Sequence, residues 1–143
     1  EGGPAIAGQL LITPATDGSR EYPSMRENAE GFVLTKALMD WFWNHYADEA
    51  DRSQPAASPL LAESLVGLPP AAVFTCEFDP LRDEGGAYAR AMAEAGVDVR
   101  LRECRGHLHT TLHAVGVILS GEPVRVEMAD AVREMFARSA ATV

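Results

Sequence analysis

Cysteine is scarce: only Cys76 and Cys104 occur among 143 residues. Two thiols are too few to staple a small secreted domain, so a reducing, cytoplasmic setting is the expected one. Positive charge is also short, with 12 Lys and Arg against 21 Asp and Glu and a formal net charge of −9. Binding phosphate over a broad footprint needs surplus positive surface, which argues against a nucleic-acid partner. Long apolar runs are missing too. The longest uncharged stretches, such as Leu108 to Gly121, are short or interrupted by His and Thr, so no membrane span is expected. The opening Glu1-Gly2-Gly3-Pro4 has no initiator Met, no basic region and no apolar leader, which reads as a start made by processing, truncation or cleavage. No internal repeat and no low-complexity tract is present.

What remains is ordinary globular material. Hydrophobic residues make up 47% of the chain, enough for one domain with a normal core. Gly8 to Thr13 (GQLLIT) is a short apolar run ended by Pro14 and reads as a buried strand. Residues 14–31 are rich in Gly, Pro, Ser, Asp and Asn and read as an irregular surface loop. Thr35 to Tyr46 turns helical, with Leu34, Ala37, Leu38, Trp41, Phe42 and His45 on one broad apolar face. Residues 47–70 form a second long connection containing four prolines, a length that usually marks a functional segment or lid.

The second half alternates cleanly. Ala71 to Glu77 is an apolar, β-rich run and Leu81 to Ala95 a helix that Gly96 is placed to end. Val97 to Cys104 alternates apolar and charged residues, as a half-exposed strand does. Pro123 opens a last helix near Val124, with Met128, Ala131, Val132 and Met135 on its buried side. Strand, helix, strand, helix, strand, helix is the order of a parallel sheet with crossover helices. Its fully apolar strands should be central and the alternating one near an edge.

Ligands of such sheets bind outside the carboxyl ends of the strands. Two unusual segments sit there: Glu77-Phe78-Asp79-Pro80-Leu81-Arg82-Asp83-Glu84 after the second strand, and Gly106-His107-Leu108-His109 after the third. An acid and a histidine leaving neighbouring strands at one sheet edge can meet as a base and its orienting carboxylate.

Phe78-Asp79-Pro80-Leu81-Arg82-Asp83-Glu84-Gly85, preceded by Leu68-Pro69-Pro70-Ala71, resembles the acid-bearing block of the hormone-sensitive-lipase family of α/β-hydrolases. Gly8 to Pro14 resembles that family's sixth strand, and Glu27 to Gly31 with Asp40 to Tyr46 the segment after it. The similarity runs from about Ile6 to His109. It implies an α/β fold: the three-stranded parallel carboxyl-terminal portion of an α/β-hydrolase sheet with flanking helices, incomplete as a domain. Residues 1–143 would be the carboxyl-terminal part of one such domain.

By the same resemblance Asp79 is the triad acid and His109 the triad histidine. The implied activity is hydrolysis of small-molecule carboxylic esters through an acyl-enzyme, with no cofactor and no metal. Two departures stand out: this chain reads His109-Thr110-Thr111 where the family usually reads His-Gly-Phe, and His107 occupies a normally apolar site, so His107 competes for the role. None of the seven serines lies in a Gly-x-Ser-x-Gly elbow. Family order is Ser, Asp, His, which places the nucleophile before Glu1, and Glu1-Gly2-Gly3-Pro4 resembles the linker after the elbow helix.

The expectation is therefore an esterase whose acid and base lie here, with the chain alone inactive. The alternative is a non-catalytic binding or assembly module on the same half-fold. A metal enzyme through His107, His109 and His113 is a third reading, unsupported by any ligating pattern. Asp83 and Glu84 read as first-turn helix acids, His45 as a core or subsite residue, and the cysteines as buried free thiols. Without upstream strands, the first strand should expose an apolar edge and pair with the missing amino-terminal half or with a second copy.

Overall fold

The computed structural model describes residues 4–141. Within them a three-stranded parallel sheet runs in the order β1 (Gln9–Ile12), β2 (Ala71–Phe78), β3 (Val99–Leu108). Helices α1 (Pro23–Glu27) and α2 (Lys36–Tyr46) lie between β1 and β2, α3 (Arg82–Glu94) between β2 and β3, and α4 (Glu122–Ala140) after β3. The opening Glu1-Gly2-Gly3 lies outside the described residues.

β2 is the central strand, and its residues 71–76 are all buried. Because side chains alternate across a strand, it feeds two cores. Ala72, Phe74 and Cys76 face Val124, Met128 and Ala131 of α4. Ala71 and Val73 face Tyr88, Ala89 and Met92 of α3 on the opposite side. The sheet is thus covered on both faces, the usual condition for parallel strands. α3 ends at a glycine, as expected: Gly96 adopts φ +84°, a left-handed value that a Cβ would strain. Cys76 and Cys104 pair across β2 and β3 as buried free thiols.

Four readings of the sequence need correction. β1 is half-buried along its length where a buried strand was expected; among the described residues it pairs with β2 alone. β3 runs on to Leu108, so Gly106 and His107 belong to the strand and His109 is its first residue beyond. The apolar stripe of α2 points outward: Trp41 and Phe42 are about half exposed, His45 is exposed, and Met39 is the helix's buried residue. Finally, the loop after β1 is not a surface loop. Thr16, Asp17, Ser24 and Asn28 are all buried, and residues 23–27 form α1. Thr13 turns the chain into this loop with φ +46°, a conformation a β-branched residue holds only when its surroundings impose it. Among the described residues, no helix is long and apolar enough to cross a membrane.

Candidate active site

Asp79 follows β2 directly and is fully buried. Its Oδ1 accepts the Leu81 amide at 2.9 Å, closing the turn that starts α3. Its carbonyl accepts the Arg82 amide at 3.1 Å and the Asn28 side-chain amide at 3.3 Å. The second carboxylate oxygen, Oδ2, faces His109 Nδ1 at 2.9 Å. A carboxylate oxygen only accepts, so Nδ1 carries the proton of this bond and Nε2 is left with its lone pair. Asp79 therefore fixes both the ring and its tautomer.

α1 clamps the start of α3 from outside. Ser24 Oγ donates to the Pro80 carbonyl at 2.7 Å and accepts the Asp83 amide at 3.2 Å, while the Ser24 amide donates to Asp83 Oδ2 at 2.8 Å. Arg82 reaches Glu27 at 2.7 Å, Asp83 at 2.9 Å and the Glu77 carbonyl at 3.2 Å. The segment that carries Asp79 is thus held by side chains from a loop that its composition alone would assign to solvent.

His107 does not share in this contact. It is buried, and its Nδ1 pairs with Thr111 Oγ1 at 3.0 Å. Thr111 also bonds the backbone of Leu108 in both directions, donating to its carbonyl at 2.9 Å and accepting its amide at 3.1 Å. Thr111, one of the two residues where the motif departs from the family pattern, closes the turn that carries His109. Among the described residues no group of three or more His, Cys, Asp or Glu is gathered to hold a metal ion.

Glu84 is the largest surprise. The sequence reads as a first-turn helix acid, yet the side chain is fully buried. Its Oε1 accepts the amides of Thr16 at 2.5 Å and Asp17 at 3.3 Å, and its Oε2 has no hydrogen-bond partner among the described residues. Burial, reinforced by the nearby Asp17 and Asp79 carboxylates, pushes it up to about 7 against the two amide bonds. Asp17 goes the other way. Burial works to raise it, and bonds from the Ser19 and Tyr22 hydroxyls, the Ser19 amide and the charge of Arg20 hold it below its ordinary value. No local sequence signal separates these two carboxyls, because their burial depends on the loop folding back over α3.

His109 is about one quarter exposed and lines a cavity of about 410 Å³. Its walls are mainly apolar: Leu34, Met39, Phe42, Trp43, Tyr46 and Leu81. An uncharged organic group of modest size fits such a space, with the His109 ring at its border.

A parallel sheet covered by helices on both faces, with a buried acid and a histidine joined at the carboxyl ends of adjacent strands, defines the α/β-hydrolase class. The α/β-hydrolase fold family model matches residues 1–113. The chain belongs to that family, on the hormone-sensitive-lipase-like branch its motifs resemble. The carboxylic ester hydrolase LipN of Mycobacterium tuberculosis is 48% identical over 104 residues, covering 71% of this chain and 28% of LipN. The ethyl acetate hydrolase of Pseudomonas putida is 35% identical over 127 residues, covering 88% of this chain and 40% of that protein. Among solved structures, the thermophilic carboxylesterase EstE1, cloned from a metagenomic library, superposes with a TM-score of 0.87 at 34% identity, over 91% of this chain and 45% of that one. The chain thus spans well under half the length of these two curated relatives.

Proposed function

We propose that this chain is the carboxyl-terminal part of a single α/β-hydrolase domain and supplies the acid and base of a Ser-His-Asp triad that hydrolyses small-molecule carboxylic esters. The observation that carries the reading is the 2.9 Å bond to the fully buried Asp79 from Nδ1 of His109, a residue that lines an apolar cavity. The carboxylic ester hydrolase and the ethyl acetate hydrolase among its relatives support the substrate class.

In this scheme His109 Nε2 takes the proton of a serine hydroxyl as the oxygen attacks the ester carbonyl. The carbonyl π-electrons move to oxygen, and the tetrahedral intermediate collapses with loss of the alkoxide, which takes the proton back from Nε2. Water then repeats the sequence on the acyl-serine and releases the acid. Asp79 stabilises the transient imidazolium and keeps the ring aimed. Base catalysis of this kind contributes on the order of 10²- to 10⁴-fold. The apolar walls suit an acyl chain or an alkoxy group better than a charged substrate.

The serine must come from another segment, since none here stands in an elbow. The chain alone is therefore expected to show no ester turnover. Mixing it with the complementary amino-terminal segment and assaying a short-chain p-nitrophenyl ester tests the reading. Turnover that appears on mixing and vanishes with His109→Ala supports it. A verified assembly without turnover refutes it and leaves a binding module.

A further inference from the structure

Two histidines compete for one aspartate, and the sheet register decides between them. β2 and β3 pair residue for residue from Ala71↔Val99 to Cys76↔Cys104. Had that register continued, Phe78 would stand beside Gly106 and Asp79 beside His107. Instead Phe78 pairs with Leu108, so Arg105, Gly106 and His107 oppose the single residue Glu77. This is a bulge with two surplus residues on β3. It carries His107 past Asp79 and delivers His109 to it.

Two features hold the bulge. Gly106 adopts φ +75°, the left-handed conformation that glycine takes without a steric cost. Its amide donates to Glu77 Oε2 at 2.7 Å, across the strands at the point where the ladder is interrupted. In an ordinary ladder that amide would bond backbone; here the carboxylate of the lone opposing residue takes it. Arg82 in turn bonds the Glu77 carbonyl, tying this residue to the start of α3.

We infer that Glu77 is a positioning residue: its carboxylate, by capturing the Gly106 amide, locks the bulge that selects His109 over His107 as the partner of Asp79. The inference rests on the proposed triad for its functional meaning, but the register itself can be read without any activity.

The experiment uses the isotope-labelled 143-residue chain in solution NMR. In the unaltered chain, cross-strand contacts should join Phe78 to Leu108, and a slowly exchanging downfield ring proton should be lost in His109→Gln and kept in His107→Gln. Glu77→Ala should lose the Phe78–Leu108 contact and at least half of the His109 proton signal. Glu77→Gln, whose amide oxygen still accepts from Gly106, should restore both. A folded Glu77→Ala chain with both signals intact overturns the inference. If Glu77→Ala does not fold, the unaltered chain decides: the Gly106 amide proton should shift as the Glu77 carboxyl is protonated, and a Gly106 amide indifferent to it overturns the inference equally. Absence of the His109 ring proton in an unaltered chain that keeps the Phe78–Leu108 contact would instead count against the triad reading and leave the bulge assignment standing.

Discussion

Replacing Glu84 with Gln should change how the stability of this chain depends on pH. In the folded chain the buried carboxyl ionises near pH 7 in place of its ordinary 4.5. Between those values the native state keeps a proton that the unfolded chain has released. Stability therefore falls as pH rises through that window and stays reduced above it. The full penalty is about 3 kcal/mol, of which roughly 2–3 kcal/mol develops between pH 5 and pH 8. Glu84→Gln keeps an oxygen for the Thr16 and Asp17 amides and never ionises. Its new amide nitrogen falls where Oε2 finds no partner among the described residues, a pH-independent cost of about 1–3 kcal/mol. The variant should thus be less stable than the unaltered chain at pH 5 and overtake or match it by pH 8. Urea unfolding followed by tryptophan fluorescence at half-unit steps of pH measures the difference directly. Parallel profiles for the two chains would refute the assignment of a buried, proton-holding Glu84. Asp17 acts in the opposite sense. Its ionised form is favoured in the fold, so its contribution is held above about pH 4 and lost as pH falls through its lowered native value. The contributions of these two carboxyls together are most favourable in mildly acidic solution.

Three further outcomes are expected. Asp79→Asn should abolish the His109 downfield ring proton and, in an assembly that turns over ester, lower kcat on the order of 10³- to 10⁴-fold; unchanged kcat would count against the dyad. Phe74→Ala empties a fully buried site on the central strand and should cost about 3–5 kcal/mol in denaturant unfolding, so a loss under about 1 kcal/mol would mean the two-sided core is wrongly drawn. Among the described residues one edge of β1 is unpaired, and light scattering should show the apparent mass growing with concentration; a monomer throughout would contradict that exposure.

The legible and illegible parts of this molecule divide along physical lines. β2 was readable because a strand buried on both faces leaves a continuous apolar run, and α3 because its period ends at a glycine. The apolar face of α2 was equally readable as a pattern, but periodicity reports that a face is apolar and says nothing of what covers it. Trp41, Phe42 and Tyr46 accordingly stand exposed, the last two in the cavity wall. The loop after β1 failed for the converse reason. Thr16, Asp17, Ser24 and Asn28 look like solvated turn residues, yet each is buried and hydrogen-bonded, all four to the segment that starts with Asp79 and ends with Glu84. Composition registers polarity, whereas burial of a polar residue depends on partners far away in the chain.

The pair at the site shows the limit most sharply. His107 and His109 differ by one strand period, so an unbroken strand would present both to the same face, and spacing alone could not choose between them. The family pattern favoured His109 by its distance from Gly106, without a reason for that distance. The register supplies one: the glycine is the only residue type that adopts φ +75° freely at the point where two residues must be absorbed, and the charge that interrupts the apolar run of β2, Glu77, sits opposite to receive its amide. An isolated glycine inside an alternating strand, facing a carboxylate at the end of its apolar neighbour, is a signal present in the sequence once strand pairing is known. It becomes readable only when both strands are laid side by side, because the information lies in their mismatch and in neither strand alone.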